Sequence, residues 1–145
     1  MGAWNFTAIR LILKTNPPVS HDVEKSPYLL IFHHPAEQRA CSEREDSDNF
    51  SKAMAWIDGL KSKGISLGGR PLEFEGRVLR PKGAPPIDGP FPEGKEVIGG
   101  TLLILARDLD EACAIASDCP GLKGDLIVEV RRVAQVPEEF KKVLS

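Results

Sequence analysis

Two histidines stand directly behind an apolar run, where Tyr28-Leu29-Leu30-Ile31-Phe32 leads into His33-His34. Histidine changes charge near neutral pH without help from its surroundings, and general acid–base chemistry needs such a group within hydrogen-bond reach of a substrate. At the end of a strand His33 is placed to reach into a pocket; an exposed loop position is the other reading. The second candidate is Asp88, in Asp88-Gly89-Pro90-Phe91. An aspartate in a turn ordinarily accepts a bond from the N–H two residues on, but here that residue is Pro90, which has none. Its carboxylate therefore turns to Gly89 N–H, Phe91 N–H, a distant group or a ligand. Two roles stay open for it, a turn-stabilising carboxylate or a base and anchor at the edge of a pocket. Phe91 either pins its loop onto the core or offers a ring to a ligand. Arg70, behind Gly68-Gly69, and Arg77 and Arg80 beyond it have the fork that clamps a carboxylate, or are scattered surface charges. Cys113 and Cys119 are not at a zinc-ligand spacing, and three histidines do little to complete a site, so neither a metal nor a cofactor is expected.

Those residues have to be positioned by elements, and hydrophobic periodicity marks where the elements fall. The run 28–32 fits a central strand, and the polar, aperiodic text from His33 to Glu45 reads as a loop carrying both histidines and Cys41. Asp46-Ser47-Asp48 offers capping side chains, after which Phe50, Ala53, Met54, Ile57 and Leu60 form one apolar face of a helix, with Trp56 at its edge. Lys61-Ser62-Lys63-Gly64 supplies cations and a glycine cap for its end. Ile65-Ser66-Leu67 opens a second strand, with a bulge or a close backbone approach at Gly68-Gly69. Leu72 to Phe74 and Arg77 to Arg80 flank Glu75-Gly76 as a hairpin would. From Pro81 to Gly100 the chain carries too much proline and glycine for a helix or a central strand, so a long irregular segment is expected. Thr101 to Ala106 is the next buried strand. Asp108 and Glu111 have capping-box spacing at the head of a second helix, which Pro120-Gly121 stops, and Leu126 to Arg131 alternates as the last strand.

The order strand, helix, strand or hairpin, strand, helix, strand is the ferredoxin-like βαββαβ pattern of an α+β fold with an antiparallel sheet. Right-handed crossovers put both helices on one sheet face. The other face, partly apolar, asks for cover, and a second copy across a two-fold axis supplies it. The 145 residues make about one domain, read as an N-terminal extension over 1–26, the fold over 27–134 and a tail over 135–145. With 19 basic against 21 acidic residues, nothing draws a phosphate backbone, so no nucleic-acid partner is expected. No apolar run approaches the roughly 18 residues of a membrane span. Arg10 and Lys14 interrupt the N-terminal apolar stretch that a secretory signal would need. Three cysteines are too few for a disulfide framework, which leaves reduced thiols and a cytoplasmic setting.

Asp88-Gly89-Pro90-Phe91, followed by Lys95-Glu96 and by Gly99-Gly100-Thr101 opening a strand, resembles the signature of the DGPF group of YCII-related proteins. Tyr28-Leu29-Leu30-Ile31 resembles that family's first strand, Gly64 to Gly69 its helix-to-strand junction, and Asp108 to Pro120 its second helix. The resemblance spans roughly Tyr28 to Val133. It implies a homodimer that closes into an α+β barrel, with a pocket between sheet and helices, in a largely uncharacterised bacterial family. Tyr28, Arg70 and Phe91 are then the expected ligand contacts for a small polar metabolite. A few relatives are thought to isomerise or dehalogenate small cyclic metabolites with a His and Asp pair, which here would be an isomerase or lyase using His33 and Asp88. One departure bears on that second reading: the helix histidine frequent in the family falls near Ala53, and this helix has none.

Overall fold

The computed structural model of the chain describes residues 23–36, 43–81, 83, 85–89 and 96–145. Cys41, Phe91, Lys95 and nearly all of the expected N-terminal extension lie outside the described residues. The order of elements is β1 (Ser26–Pro35), α1 (Glu43–Ser62), β2 (Ser66–Pro71), β3 (Gly76–Val78), β4 (Ile87–Gly89), β5 (Glu96–Ala106), α2 (Leu109–Ser117), β6 (Ile127–Arg132) and α3 (Glu138–Leu144), with a 3-10 turn at Pro120–Lys123. Four strands make one sheet in the order β2-β5-β1-β6, every neighbouring pair antiparallel, while β3 and β4 form a separate ribbon. With α1 between β1 and β2, and α2 between β5 and β6, this is the ferredoxin-like α+β arrangement expected from the element order.

The core follows from strand alternation. Tyr28 and Leu30 on β1 stand opposite Ile104 and Leu102 on β5, and all four are buried beneath Leu60 of α1 and Ala112 and Ala116 of α2. Trp56 and Ile57 of α1, Ile115 of α2 and Val128 and Val130 of β6 pack around them. Each large side chain so buried contributes about 1.5–3 kcal/mol. The alternate residues Leu29, Ile31, Leu103 and Leu105 project from the opposite face and stay only half-buried. The end of α1 forms as its residues predict, with Gly64 N–H donating to Lys61 O at 2.9 Å and Ile65 N–H to Leu60 O at 2.9 Å. At the head of α2, Asp108 Oδ1 accepts from Glu111 N–H at 2.8 Å. Glu111 reaches back to the Arg107 N–H, one residue before the cap, rather than to the cap itself.

Four local expectations are corrected. β1 runs through Pro35, so His33 and His34 are strand residues rather than loop residues, His33 paired with both β5 and β6 and His34 with β5. α1 begins at Glu43, ahead of Asp46-Ser47-Asp48, which therefore lie within the helix. The hairpin about Glu75-Gly76 does not form: Pro71 ends β2, Leu72 gives its N–H to Gly99 O at 2.9 Å, and β3 pairs instead with β4 across the proline-rich segment. β5 starts at Glu96, inside the segment expected to be irregular. Its glycines serve close approach rather than disorder, since a side chain at Gly99 would collide with the His34 ring, and the strand absorbs an extra residue there as a bulge. α3 falls in the stretch read as a tail, a helix of seven residues with no buried side chain.

Two tests of this packing follow. At Gly69 a Cβ would run into the Thr101 carbonyl and the Leu102 backbone, whereas at Gly59, on the exposed side of α1, nothing lies within 4 Å. Gly69→Ala is expected to cost about 1–3 kcal/mol and Gly59→Ala to add about 0.5–1 kcal/mol, both read from urea midpoints. Cys119 is 4% exposed, and burial pushes its thiol up, while Cys113 is exposed on α2. Iodoacetamide at mildly alkaline pH should therefore label Cys113 about tenfold or more faster than Cys119, a gap that peptide mapping should find closed in denaturant.

Candidate functional site

His33 sits on β1 opposite Ile127 of β6 and Ile98 of β5. Strand alternation points it, with Leu29 and Ile31, to the face that the helices leave open. Glu129, two pairs along β6, is on the same face, opposite Ile31. The His33 Nε2–H donates to Glu129 Oε2 at 2.9 Å, and Glu96 Oε2 lies 3.7 Å from the other ring nitrogen, Nδ1. The imidazole is 19% exposed and the two carboxylates 46% and 42%. The other Glu129 oxygen, Oε1, lies 3.8 Å from Arg131 Nε. Four charged or chargeable groups from three strands thus line one end of the open face. A histidine held by a carboxylate is oriented for proton transfer, since the partner fixes the ring.

At the other end of β1 the edge of the sheet meets the start of α2 in an open groove of about 520 Å³, lined by Tyr28, Arg107, Asp108, Leu109, Val130, Arg131 and Arg132. Tyr28 is buried there and the three arginines are exposed. Arg107 is drawn to Glu111, with Nε 3.1 Å from Oε1. The Arg107 N–H at 2.6 Å, and the guanidinium after it, hold the Glu111 carboxyl below the usual carboxylate range. That contact is therefore complete at neutral pH and is lost only as acid protonates Glu111. Arg132 Nη2 donates to Ser26 Oγ at 2.9 Å. A groove of this make-up favours an anion, because guanidinium groups bind carboxylate or phosphate in a fixed fork.

The residues singled out in the sequence do not form one constellation. Tyr28 and His33 share β1 but lie on opposite faces, five residues and so about 17 Å apart. Arg70 is on the open face opposite Thr101, at the β2 edge, and its Nη1 donates to the carbonyl of Gly69 at 2.7 Å. Asp88 is the middle residue of β4, paired with Arg77 in the ribbon outside the main sheet; its side chain, like all of Phe91, lies outside the described residues. His34 turns the other way from His33, over Gly99. Sequence reasoning passed over Glu129, Glu96, Arg107, Arg131 and Arg132. The outward phase of Glu129 and Arg131 was visible in the alternation of β6. Their proximity to His33 and Tyr28 depends on the β1–β6 register, which no local pattern encodes.

Among the described residues no three histidine, cysteine, aspartate or glutamate side chains gather as metal ligands, and no helix is long and apolar enough to cross a membrane. No curated protein matches the chain. The YCII-related domain does match it, over residues 28–137, which takes in β1 from Tyr28 through β6, including both helices of the βαββαβ unit and the β3–β4 ribbon. By that match, and with the fold that carries it, the chain belongs to the YCII-related domain family.

Proposed function

We propose that the protein works as a homodimer closed across its open sheet face, and that it binds a small polar metabolite of anionic character in the groove where the sheet meets α2. The groove carries this reading: Tyr28, Arg107, Arg131 and Arg132 are among the residues that line one concavity large enough for a metabolite. The dimer is supported by the half-buried row Leu29, Ile31, Leu103 and Leu105, apolar surface of the kind that a second copy covers. Free thiols at Cys113 and Cys119 fit a cytoplasmic setting.

Native mass spectrometry of the protein as purified from cells tests both parts. The expected spectrum is a dimer carrying a defined extra mass, lost in an Arg131→Ala, Arg132→Ala variant that still dimerises. Leu103→Glu should give a monomer with an unchanged far-ultraviolet spectrum. A bare dimer, combined with no rise in melting temperature across a panel of small dicarboxylates and phosphate esters, would remove the groove from consideration, because a ligand at a hundred times its Kd stabilises by about 2.7 kcal/mol.

The His33–Glu129 bond favours a second reading, an isomerase or lyase that moves a proton on a small cyclic substrate. In it His33 is the acid–base group, and the carboxylate that orients it is Glu129, already bonded at 2.9 Å, with Asp88 on the separate ribbon as the other carboxylate to test. Incubating the protein with its retained metabolite in D2O reads this without knowledge of the product. Deuterium should enter a carbon position of the metabolite, and the exchange should fall by about 100-fold or more in His33→Ala, with Asp88→Asn leaving it unchanged. Exchange that survives His33→Ala would dismiss the histidine.

A further inference from the structure

We propose that the ligand of the groove is a hydroxy acid, its carboxylate held by Arg132 and the Tyr28 hydroxyl and its own hydroxyl given to Asp108. The inference rests on the groove proposed above as a binding site and names the class of metabolite that the groove takes; it does not depend on the homodimer.

Tyr28 is 3% exposed, yet among the described residues no group bonds its hydroxyl. A buried tyrosine ordinarily finds a partner for its O–H. No buried side-chain oxygen or nitrogen among these residues is left unsatisfied, so the Tyr28 oxygen is the part of the side chain that reaches the surface, and the surface Tyr28 lines is the groove. Arg132 stands directly opposite Tyr28 in the β1–β6 register, which sets the two side chains on one face with their Cβ atoms about 4.5–5.5 Å apart. The other two arginines of the groove are engaged elsewhere. Arg107 is held by Glu111 at 3.1 Å, and Arg131, one step out of phase with Arg132, has its Nε 3.8 Å from Glu129 Oε1. Arg132 gives one N–H to Ser26 Oγ at 2.9 Å and, among the described residues, pairs with no carboxylate. A guanidinium has five N–H groups, so most of its fork is left for a ligand.

Asp108 is the opposite pole of the same groove. Its Oδ1 accepts from Glu111 N–H at 2.8 Å, which leaves Oδ2, an atom that can only accept. The charges here come in pairs: Arg107 with Glu111, Arg131 with Glu129, and Lys25, which faces Glu111, against Asp110 in the first turn of α2. Arg132 and Asp108 remain, one of each sign. The groove therefore has no surplus of positive charge, and what selects a ligand is directed bonding. A phosphate dianion or a second carboxylate would set a bare oxygen against Asp108 Oδ2. A hydroxyl donates to it instead, while the carboxylate of the same molecule takes the fork of Arg132 and the O–H of Tyr28. Leu109 and Val130 give apolar surface to the carbon body between them.

Titrating the full chain, followed by amide chemical shifts, with acids matched but for one hydroxyl tests this: propionate against lactate, succinate against malate, phenylacetate against mandelate, with inorganic phosphate alongside. In at least one pair the hydroxy acid should bind about tenfold or more tighter than its partner. Tyr28→Phe should weaken that binding about threefold or more with no fall in melting temperature, since the hydroxyl it removes bonds nothing in the chain. Asp108→Asn keeps an oxygen to cap α2 and turns the other acceptor into a donor, so it should erase the preference within the pair. Phosphate or the plain acids binding as well as the hydroxy acids overturns the hydroxy-acid assignment and leaves the groove standing as an anion site. A preference that survives Asp108→Asn, or binding indifferent to Tyr28→Phe, overturns the assignment in the same way. A chain that binds none of these compounds and carries no extra mass from cells overturns the groove and the assignment together.

Discussion

Leu30, Leu102 and Ile104 are wholly buried because β1 and β5 put them side by side under α1 and α2. That single stacking of sheet on helices fixes everything else by alternation. Each residue it draws inward forces the next one outward, so a well-filled core on one face obliges the chain to present Leu29, Ile31, Leu103 and Leu105 on the other. The helix-covered face is closed by Ala112 and Ala116, whose small side chains let α2 lie close to the strands. A helix of nine residues has little stability of its own, and this packing, with the Asp108 cap, is what holds it.

The amount of this legible in the sequence depends on the range of the interaction responsible. Elements governed by local periodicity and caps were readable: the strand at 28–32, the helix through Phe50 to Leu60, the Asp108 cap and the alternation of β6 stand where their residue patterns indicate, although of the helix stripe Ile57 and Leu60 reach the core while Phe50 and Met54 stay exposed. Elements governed by partners far along the chain were not. Proline and glycine between Pro81 and Gly100 argue locally against a strand, yet Glu96 to Gly100 joins the sheet because β1 and β2 flank it and its glycines allow them close. Likewise Arg77 finds its strand partner at Asp88 rather than in the nearby residues 72–74.

The same distinction explains the candidate sites. His33 was recognisable from residue type and from its place after an apolar run. Glu129, 96 residues away, became its partner through register alone. Tyr28 had no chemical reason of its own to stand out, and it acquires one only from the arginines that the end of β6 and the start of α2 bring to it. One carboxylate, Glu129, faces both neighbourhoods, with one oxygen toward His33 and the other toward Arg131. The two ends of the sheet are therefore electrostatically adjacent, although Tyr28 and His33 lie on opposite faces.

The extra residue in β5 has a reach beyond the local bend it makes. Up to Gly100 the pairing with β1 runs in step, and past the bulge it resumes one residue later, with Ile98 opposite His33 and Val97 opposite His34. Were Gly99 paired in step with His33 instead of bulged out, the phase of the last strand turn would invert, sending Val97 to the open side and Ile98 under the helices. The polarity of this end of both sheet faces is thus written by one small residue, independently of the core built from Leu102 to Ala106. A lineage could therefore lose that codon, straighten the strand and keep Glu96 on the histidine's face, with the core resting elsewhere.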